Sequence, residues 1–285
     1  MTSIACFFGA LVALVAAVPV GGLIAGVDRR ITARLQSRMG PPLFQPFYDV
    51  LKLFGKAPCT SSPWLVFSAY VCLLASAAAL FIFFLRGDLL LLFFVMTAGA
   101  VFRVAGALSV PSPFSNAGAQ RELLQMLAYE PLIILTFVGL SIASGSFVIS
   151  DIYAMREPLL PQLPFLYLAL GYALTIKLAK SPFDIASCHH GHQEIVRGVL
   201  TEYSGPQLAL LEISHWLDVV LLLGLCSLFW HTGAAGMIVL LVLTYLAEIV
   251  VDNVCARMTW QWMLRQAFGL TLALAIANIL WLYVR

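Results

Sequence analysis

Long apolar segments alternate with short polar connections along the whole chain. Each has about the 20 residues that an α-helix needs to cross the hydrocarbon core of a membrane. The pattern predicts an all-α polytopic membrane protein with eight transmembrane helices, forming a single integral membrane domain over residues 1–285. The predicted spans are residues 4–27, 64–85, 88–107, 128–148, 163–180, 207–230, 235–253 and 262–283.

Two longer polar loops, residues 28–63 and 181–206, lie on one side of the membrane in this arrangement. Of the 16 Lys and Arg residues, only Arg86, Arg156 and Arg285 fall on the other side. Because basic residues concentrate in cytoplasmic loops, we expect the two long loops on the inner side of the membrane and both termini on the outer side. Residues 28–63 are called the first inner loop and residues 181–206 the second inner loop. The first apolar segment has its positive charges after it, so we expect a retained helix and not a signal peptide. A multi-pass protein of a bacterial or archaeal cytoplasmic membrane is predicted.

A second type of apolar pattern lies inside the first inner loop. Four apolar side chains recur at helical spacing within residues 45–54, and charged side chains occupy the other face. This pattern predicts a short amphipathic helix, which either lies in the membrane interface or docks a soluble partner. The four side chains are Phe47, Val50, Leu51 and Phe54.

The composition excludes a water-soluble enzyme. Hydrophobic residues make up 61% of the chain and charged residues 11%, against about 25% charged in soluble domains. The length leaves no room for a separate catalytic domain beside eight spans. The six cysteines are scattered singly, without a spacing that could hold zinc or an iron-sulfur cluster. We expect membrane lipids as partners and no nucleic acid.

Six carboxylic acids fall within or at the ends of predicted spans. Each ionised carboxylate at the membrane centre costs about 2.5–3.5 kcal/mol on insertion scales, so several together suggest a function. Acids that share a buried face raise each other's pKa, which suits a proton path, although sodium coordination stays open. An acid at a helix end also fits a position at the interface or beside an Arg. The six candidates for the proton path are Glu122, Glu130, Glu212, Asp218, Glu248 and Asp252.

The second inner loop carries a polar, His-rich stretch. Its three neighbouring histidines do not match a known metal-ligand spacing, so we interpret them as proton carriers or as part of a partner surface. Glu202 lies just before a predicted helix start, where a capping role competes with a functional one. The stretch comprises Asp184, Cys188, His189, His190, His192, Glu194 and Glu202.

Several motifs follow one another along the chain, at residues 34–41, 45–54, 121–130, 181–184, 193–194 and 201–205. They resemble those of the membrane subunit that forms the quinone channel of respiratory complex I, the NADH dehydrogenase subunit 1 family. The resemblance covers nearly the whole chain, and eight helices with outside termini agree with it.

Two departures favour the second branch of this family, the membrane anchor of energy-converting (group 4) [NiFe] hydrogenases, including formate hydrogenlyase. Only three residues separate Pro41 from Gln45, where complex I subunits carry a longer segment near the quinone entrance. The stretch between Asp184 and Glu194 is His-rich and similar to the hydrogenase branch, whereas complex I relatives carry a Glu-rich run there.

The resemblance implies a membrane-anchoring, proton-translocating subunit that couples hydrogen redox chemistry in a peripheral arm to ion movement. The chain itself would be non-catalytic and hold no cofactor or metal. The [NiFe] centre and iron-sulfur clusters would lie in partner subunits. The implied partners are the hydrogenase large and small subunits, an iron-sulfur electron-transfer subunit and antiporter-like membrane subunits.

The same resemblance assigns roles to individual residues. Glu130, which ends the Tyr-Glu pair of the fourth span, is implied to be an intramembrane proton carrier. A coupling interface with the peripheral arm is expected at Arg34, Arg38, Asp184, His192, Glu194 and Glu202.

Three other functions remain open from the sequence. A complex I quinone-channel subunit would require a quinone-sized cavity. A free-standing secondary transporter would be stable alone, although the chain lacks the internal repeats that many transporters contain. A purely structural anchor would leave ion movement unaffected by Glu130→Gln.

Overall fold

The computed structural model describes residues 3–59, 62–186 and 197–284, and these residues are predominantly helical. A 3₁₀ turn covers Gly198–Leu200, and a π-helical segment, Gln266–Thr271, joins the last two α-helices. The α-helices are α1 (Ser3–Leu35), α2 (Gln45–Phe54), α3 (Pro63–Phe84), α4 (Leu89–Leu108), α5 (Pro113–Ser144), α6 (Ile149–Ala154), α7 (Pro164–Lys177), α8 (Gly205–Ser227), α9 (Ala234–Val254), α10 (Trp260–Arg265) and α11 (Leu272–Val284).

Seven helices of the described chain are long and apolar enough to cross a membrane. They are α1, α3, α4, α5, α8, α9 and the continuous helix Trp260–Val284. The remaining predicted span corresponds to α7, which has 14 residues and is shorter than the others. The protein is therefore an integral membrane protein, with seven long candidate spans where the hydropathy pattern predicts eight.

Two helices extend well beyond their predicted spans. The first helix continues past Val27 to Leu35, so Arg34 lies in its last turn and not in a loop. Helix α5 begins at Pro113, whereas the predicted span begins near residue 128. Both extensions consist mainly of residues that favour helices, and leaving the membrane does not by itself end a helix. The sequence pattern located the apolar parts of these helices and missed their polar ends.

The described residues cluster into two compact units. The first comprises Met1–Leu85, Val95–Leu123 and Ile185–Val220, and the second Arg86–Phe94, Leu124–Asp184 and Leu221–Arg285. In the first unit, Leu65, Cys72 and Leu211 belong to one buried cluster, and Val50 packs with Trp216 in another. In the second unit the fully buried side chains include Phe137, Ile149, Leu159, Leu166 and Phe229.

Half of the apolar stripe of α2 is covered within the first unit. The ring centroid of Phe47 lies 5.3 Å from that of Trp216 on α8, and Val50 is buried beside them. Leu51 and Phe54 are 66% and 44% exposed. Helix α2 is therefore held against α8 by one pair of apolar side chains, while the other pair faces outward.

Side chains satisfy the backbone N–H groups at the starts of several helices. Asp88 Oδ1 accepts hydrogen bonds from Leu90 N and Leu91 N at the start of α4. Asn278 Oδ1, on α11, accepts from Phe165 N at 2.9 Å and Leu166 N at 3.1 Å at the start of α7. Such bonds matter because lipid offers no hydrogen-bond partner for an open helix end.

Candidate functional site

A buried ion pair connects α4 and α8 in the first unit. Arg103 Nη2 lies 3.3 Å from Asp218 Oδ2, and the two side chains are 21% and 10% exposed. Ser76 of α3 donates a 2.8 Å hydrogen bond to Asp218 Oδ1. A second 2.8 Å bond joins Ser76 to Ser214, and Ser76 accepts there because its one proton is already donated. Asp218, a predicted proton carrier, thus lies in a polar cluster beside an opposite charge.

Three small polar side chains of α3 form a stripe on one face of that helix. Ser68, Cys72 and Ser76 follow at intervals of four residues and are all buried. Ser68 Oγ lies 2.7 Å from Tyr203 Oη, and Cys72 Sγ donates to Gly99 O of α4 at 3.3 Å. Burial raises the pKa of Tyr203 to about 12, so its hydroxyl stays protonated at neutral pH. The stripe therefore joins the end of the second inner loop to the Asp218 cluster.

A glycine on α4 makes room for the Tyr203 end of this stripe. A Cβ atom at Gly106 would overlap both Ser68 Oγ and Tyr203 Oη. Arg103 lies three residues before Gly106 and therefore on the same side of α4. The close approach at Gly106 therefore shows that the side of α4 carrying Arg103 faces α3.

Glu212 lies at the wall of a charged groove in the first unit. Its Oε1 is 3.5 Å from Arg197 Nη2, and 17% of the Glu212 side chain is exposed. The groove has a volume of about 280 Å³, and residues of α1, α2 and α8 line it. Its charged lining residues are Arg29, Asp49, Lys52, Lys56, Arg197 and Glu212.

Asp49 connects α2 to α1 through an ion pair with Arg29. Arg29 Nη1 donates to Asp49 Oδ2 at 2.6 Å, and Gln45 Nε2 donates to Asp49 Oδ1 at 2.9 Å. Partial burial alone would raise the pKa of Asp49, but these two hydrogen bonds and the positive charges of Arg29 and Lys52 outweigh it and hold the pKa below its ordinary value. Arg34 and Arg38, the arginines expected at the coupling interface, are exposed and form no ion pair with the described residues.

In the second unit, the start of the second inner loop is attached to the end of α9. Ser181 N donates a 2.8 Å hydrogen bond to Asp252 Oδ1. Arg257 Nη2 lies 3.0 Å from Asp184 Oδ2, and Asp184 is only 7% exposed. Residues 181–184 are therefore held at both ends by α9 and the segment that follows it.

Glu248 lies one turn before Asp252 on α9 and is 7% exposed. Its Oε2 has no hydrogen-bond partner among the described residues. Lys180 and Asp252 are the charged groups that act on it, and Lys180 Nζ lies 4.5 Å from the ring centroid of Tyr245. The second unit thus contains a buried cation that acts on Glu248, one of the predicted proton carriers.

The other predicted site residues occupy less defined positions. Glu122 and Glu130 are half-buried on α5, and Pro131 directly follows Glu130 inside this helix. Glu202 is half-buried before α8. His192 and Glu194 lie in residues 187–196, outside the described residues, with the rest of the His-rich stretch.

The six predicted proton carriers divide between the two units. Glu122, Glu212 and Asp218 belong to the first, and Glu130, Glu248 and Asp252 to the second. Across residues 3–59, 62–186 and 197–284, no group of three or more His, Cys, Asp or Glu side chains could hold a metal ion.

Sequence reasoning missed the cations that accompany these acids. An isolated Arg in the apolar segment 88–107 is a signal in its own right, because a charge in a membrane helix usually has a function. The other partners had no such signal, since only the tertiary structure brings them to their acids. The missed cations are Arg103, Lys180, Arg197 and Arg257.

Comparison with known families identifies the chain. A family model described as NADH dehydrogenase matches residues 8–283. The chain belongs to this family. The family membership predicted from the sequence motifs is therefore confirmed.

Individual relatives of this family member come from several membrane complexes. Hydrogenase-4 component C of Escherichia coli K12 is 37% identical over 232 residues, which cover 75% of this chain and 72% of the relative. A subunit of the NADH-quinone oxidoreductase of Rubrobacter xylanophilus is 30% identical over 231 residues, covering 72% and 69%. A chain of the membrane-bound sulfane sulfur reductase, an archaeal respiratory membrane complex, superposes with a TM-score of 0.89 at 25% identity, covering 98% of this chain and 99% of that chain.

Proposed function

We propose that this chain is the membrane-anchoring and proton-translocating subunit of an energy-converting [NiFe] hydrogenase complex. It would couple hydrogen redox chemistry in a peripheral arm to ion movement through the membrane. The [NiFe] centre and the iron-sulfur clusters would belong to partner subunits, so this chain would carry no redox step itself.

The similarity to the hydrogenase component carries the proposal. Identity to hydrogenase-4 component C, at 37%, exceeds the 30% to the NADH-quinone oxidoreductase subunit. The short Pro41 to Gln45 connection and the His-rich second loop favour the same branch. A complex I quinone-channel subunit is the second candidate, supported by the same family membership.

The buried charges support an ion-transferring role over a purely structural one. Asp218, Asp184 and Glu248 are each at most 7% exposed in a membrane protein. Burying ionised carboxylates in a membrane protein costs free energy. A subunit that served only as an anchor could fill the same volume with apolar side chains at no loss of stability.

The charged groove supports docking of the peripheral arm on the side of the two long loops. By the distribution of basic residues, this side is the cytoplasm, and the complex would reside in the cytoplasmic membrane of a bacterium or archaeon. The proposed partners are the large and small hydrogenase subunits, an iron-sulfur electron-transfer subunit and antiporter-like membrane subunits.

Gentle extraction of the complex through an affinity tag on the C-terminus tests the proposal. Nickel, flavin and co-purifying polypeptides are measured in the same sample, together with hydrogen evolution. Nickel with hydrogen evolution and without flavin is expected. Flavin with quinone reductase activity and no nickel would instead assign the chain to complex I. Purification of the chain as a stable protein without partners would favour a transporter.

Glu130→Gln separates ion transfer from anchoring. The substitution keeps the size of the side chain and removes its charge. We expect the complex to assemble and to retain hydrogen chemistry with an artificial electron donor, while proton movement falls. Survival of both activities at the wild-type level would support the structural anchor.

A further inference from the structure

One face of α1 is apolar along the predicted span and becomes basic directly after it. Val20, Leu23 and Val27 are exposed and follow one another at spacings of three and four residues. Arg30 and Arg34 continue this spacing past the end of the apolar segment, and both are exposed. The side chains therefore form one row along the helix, in which three apolar positions are followed by two guanidinium groups.

A cavity with a volume of about 410 Å³ lies at the basic end of this row. This volume falls within the range of about 300–1,000 Å³ that is usual for ligand pockets. Most of its lining comes from α1, at positions i, i+3, i+4 and i+7 of one helix face, and the connection to α2 closes one side. The lining residues are Val27, Arg30, Ile31, Arg34, Leu35 and Leu43.

The side of the cavity formed by Leu43 is fixed by close backbone contacts. A Cβ atom at Gly26 would overlap Leu43 O, and a Cβ atom at Gly40 would lie 3.1 Å from Arg30 Cα. The short connection between α1 and α2 therefore rests directly on α1. The cavity is thus bounded by packed backbone and does not depend on the position of one mobile side chain.

The two arginines of the cavity form no ion pair with the described residues. The carboxylates that α1 and α2 place nearby have other partners, because Thr32 donates to Asp28 at 3.5 Å and Arg29 donates to Asp49 at 2.6 Å. A guanidinium group is a flat array of N–H donors that suits the oxygens of a phosphate. The cavity therefore combines an apolar wall with two cations that are available to an anionic ligand.

We propose that this cavity binds the headgroup of an anionic phospholipid. Arg30 and Arg34 hold the phosphate group, and an acyl chain lies along Val20, Leu23 and Val27. Binding is non-covalent, so no bond of the lipid forms or breaks. This inference goes beyond the proposed function and does not depend on whether the partner subunits belong to a hydrogenase or to complex I.

The position of the cavity along α1 favours a lipid over a soluble anion. The apolar segment ends at Val27, and Arg30 and Arg34 follow it by about 5 and 10 Å along the helix axis, at the depth of the lipid headgroups. Phe44 and Tyr48 are exposed in the adjoining connection and in α2, and aromatic side chains are typical of this layer. In the proposed orientation this is the cytoplasmic leaflet, which carries anionic lipids.

Photolabelling in lipid nanodiscs tests the site in the assembled complex. The tagged complex is reconstituted in phosphatidylcholine with a small fraction of phosphatidylglycerol that carries a diazirine on one acyl chain. After illumination, peptides are produced with chymotrypsin, which does not cleave at arginine and so gives comparable peptides from arginine variants. Mass spectrometry should find the label on peptides from residues 20–43.

Competition in the wild type identifies the source of the anion. Unlabelled phosphatidylglycerol that replaces part of the phosphatidylcholine should lower the label at residues 20–43, although the fraction of labelled lipid is unchanged. Inorganic phosphate in the buffer should not lower it. Displacement by inorganic phosphate would assign the cavity to a soluble anion and overturn the inference. Displacement by a short-chain quinone and not by phosphatidylglycerol would overturn it as well.

The double variant Arg30→Gln with Arg34→Gln removes both charges from the cavity. Its label should be about tenfold or more below the wild-type level, because each arginine near a membrane surface favours anionic lipid several-fold. Labelling by a diazirine phosphatidylcholine should stay unchanged at the same peptides. This second lipid separates a lost phosphate site from a general disturbance of α1.

Arg38→Gln with Arg265→Gln is the matched control, because it removes two exposed arginines that do not line the cavity. Its label at residues 20–43 should equal that of the wild type. Equal labelling of the wild type and the Arg30/Arg34 double variant overturns the inference. If that double variant does not assemble, the wild-type competition decides. Displacement by phosphatidylglycerol alone supports the site, and no displacement overturns it.

Discussion

The backbone N–H of Ser181 donates a 2.8 Å hydrogen bond to Asp252 Oδ1, so the second inner loop begins on the end of α9. The same short segment ends at Asp184, which is paired with Arg257. A loop expected to face the peripheral arm is thus attached to a membrane-spanning helix by charged groups. Movement of α9 and movement of the loop start are therefore linked within the second unit.

Asp252→Ala should loosen this attachment. A hydrogen bond to a charged group contributes about 1.5–3 kcal/mol, and its loss should raise hydrogen exchange at the amides of residues 181–184. Hydrogen-exchange mass spectrometry of the solubilised protein measures this effect. Asp252→Asn, which keeps an acceptor oxygen, is the control and should preserve most of the protection. Equal exchange in the wild type and the Ala variant would show that other contacts hold the segment.

Gly106→Ala should disturb the contact between α3, α4 and Tyr203. The added Cβ would overlap Ser68 Oγ and Tyr203 Oη, so one of these groups must shift. Overpacking of this kind typically destabilises by about 1–3 kcal/mol. Thermal unfolding in detergent should reveal a lower midpoint for this variant.

Gly171→Ala on α7 is the matched control for Gly106→Ala. A Cβ there meets nothing within 4 Å, so the substitution should be neutral or raise stability by about 0.5–1 kcal/mol through a better helix former. Similar midpoints for the two glycine variants would contradict the close approach at Gly106.

Asn278→Leu should destabilise the start of α7. The Asn278 side chain accepts from Phe165 N and Leu166 N and donates to Gln162 O at 3.0 Å. Each buried polar group left without a partner costs about 1–3 kcal/mol. Chemical unfolding and hydrogen exchange at residues 165 and 166 measure the loss. Leu280→Ala, on the same helix but at a 60% exposed position, should have a much smaller effect.

Acidification should release the bond between Arg29 and Asp49. Because the pKa of Asp49 in the folded protein is lowered, the contribution of this bond to stability is complete above the ordinary pKa of 3.8. It is lost as the pH falls through the lower folded-state pKa. The infrared carboxylate band, taken as the difference between the wild type and Asp49→Asn, follows the titration.

Arg29→Gln should move that titration to higher pH, because it removes the hydrogen bond and the charge that favour the ionised form of Asp49. Arg30→Gln removes the neighbouring exposed charge and should move it less. An unchanged midpoint in Arg29→Gln would mean that Gln45 and Lys52, without Arg29, keep the pKa of Asp49 low.

Hydropathy located the apolar core of each long helix better than the helix ends. The predicted span 235–253 and the observed helix Ala234–Val254 agree closely, because polar turns bound this segment. Helix α5 shows the opposite case, since it runs on from Pro113 through polar residues that the span prediction excluded. A hydropathy scale indicates which residues favour lipid over water, so it locates the edge of the membrane. A helix can extend beyond that edge as long as its backbone hydrogen bonds remain favourable.

The sequence by itself determined that this is a membrane protein of the NADH dehydrogenase family and that several acids lie within its helices. Those conclusions depend on composition and on contiguous motifs, which are local properties of the chain. Tertiary structure decided the environment of each acid. The pairs Arg103 with Asp218 and Asp184 with Arg257 join residues more than 70 positions apart, and no local pattern encodes such contacts. The ionisation of a buried acid depends on these distant partners, so its chemistry could be assigned only after the helices were packed.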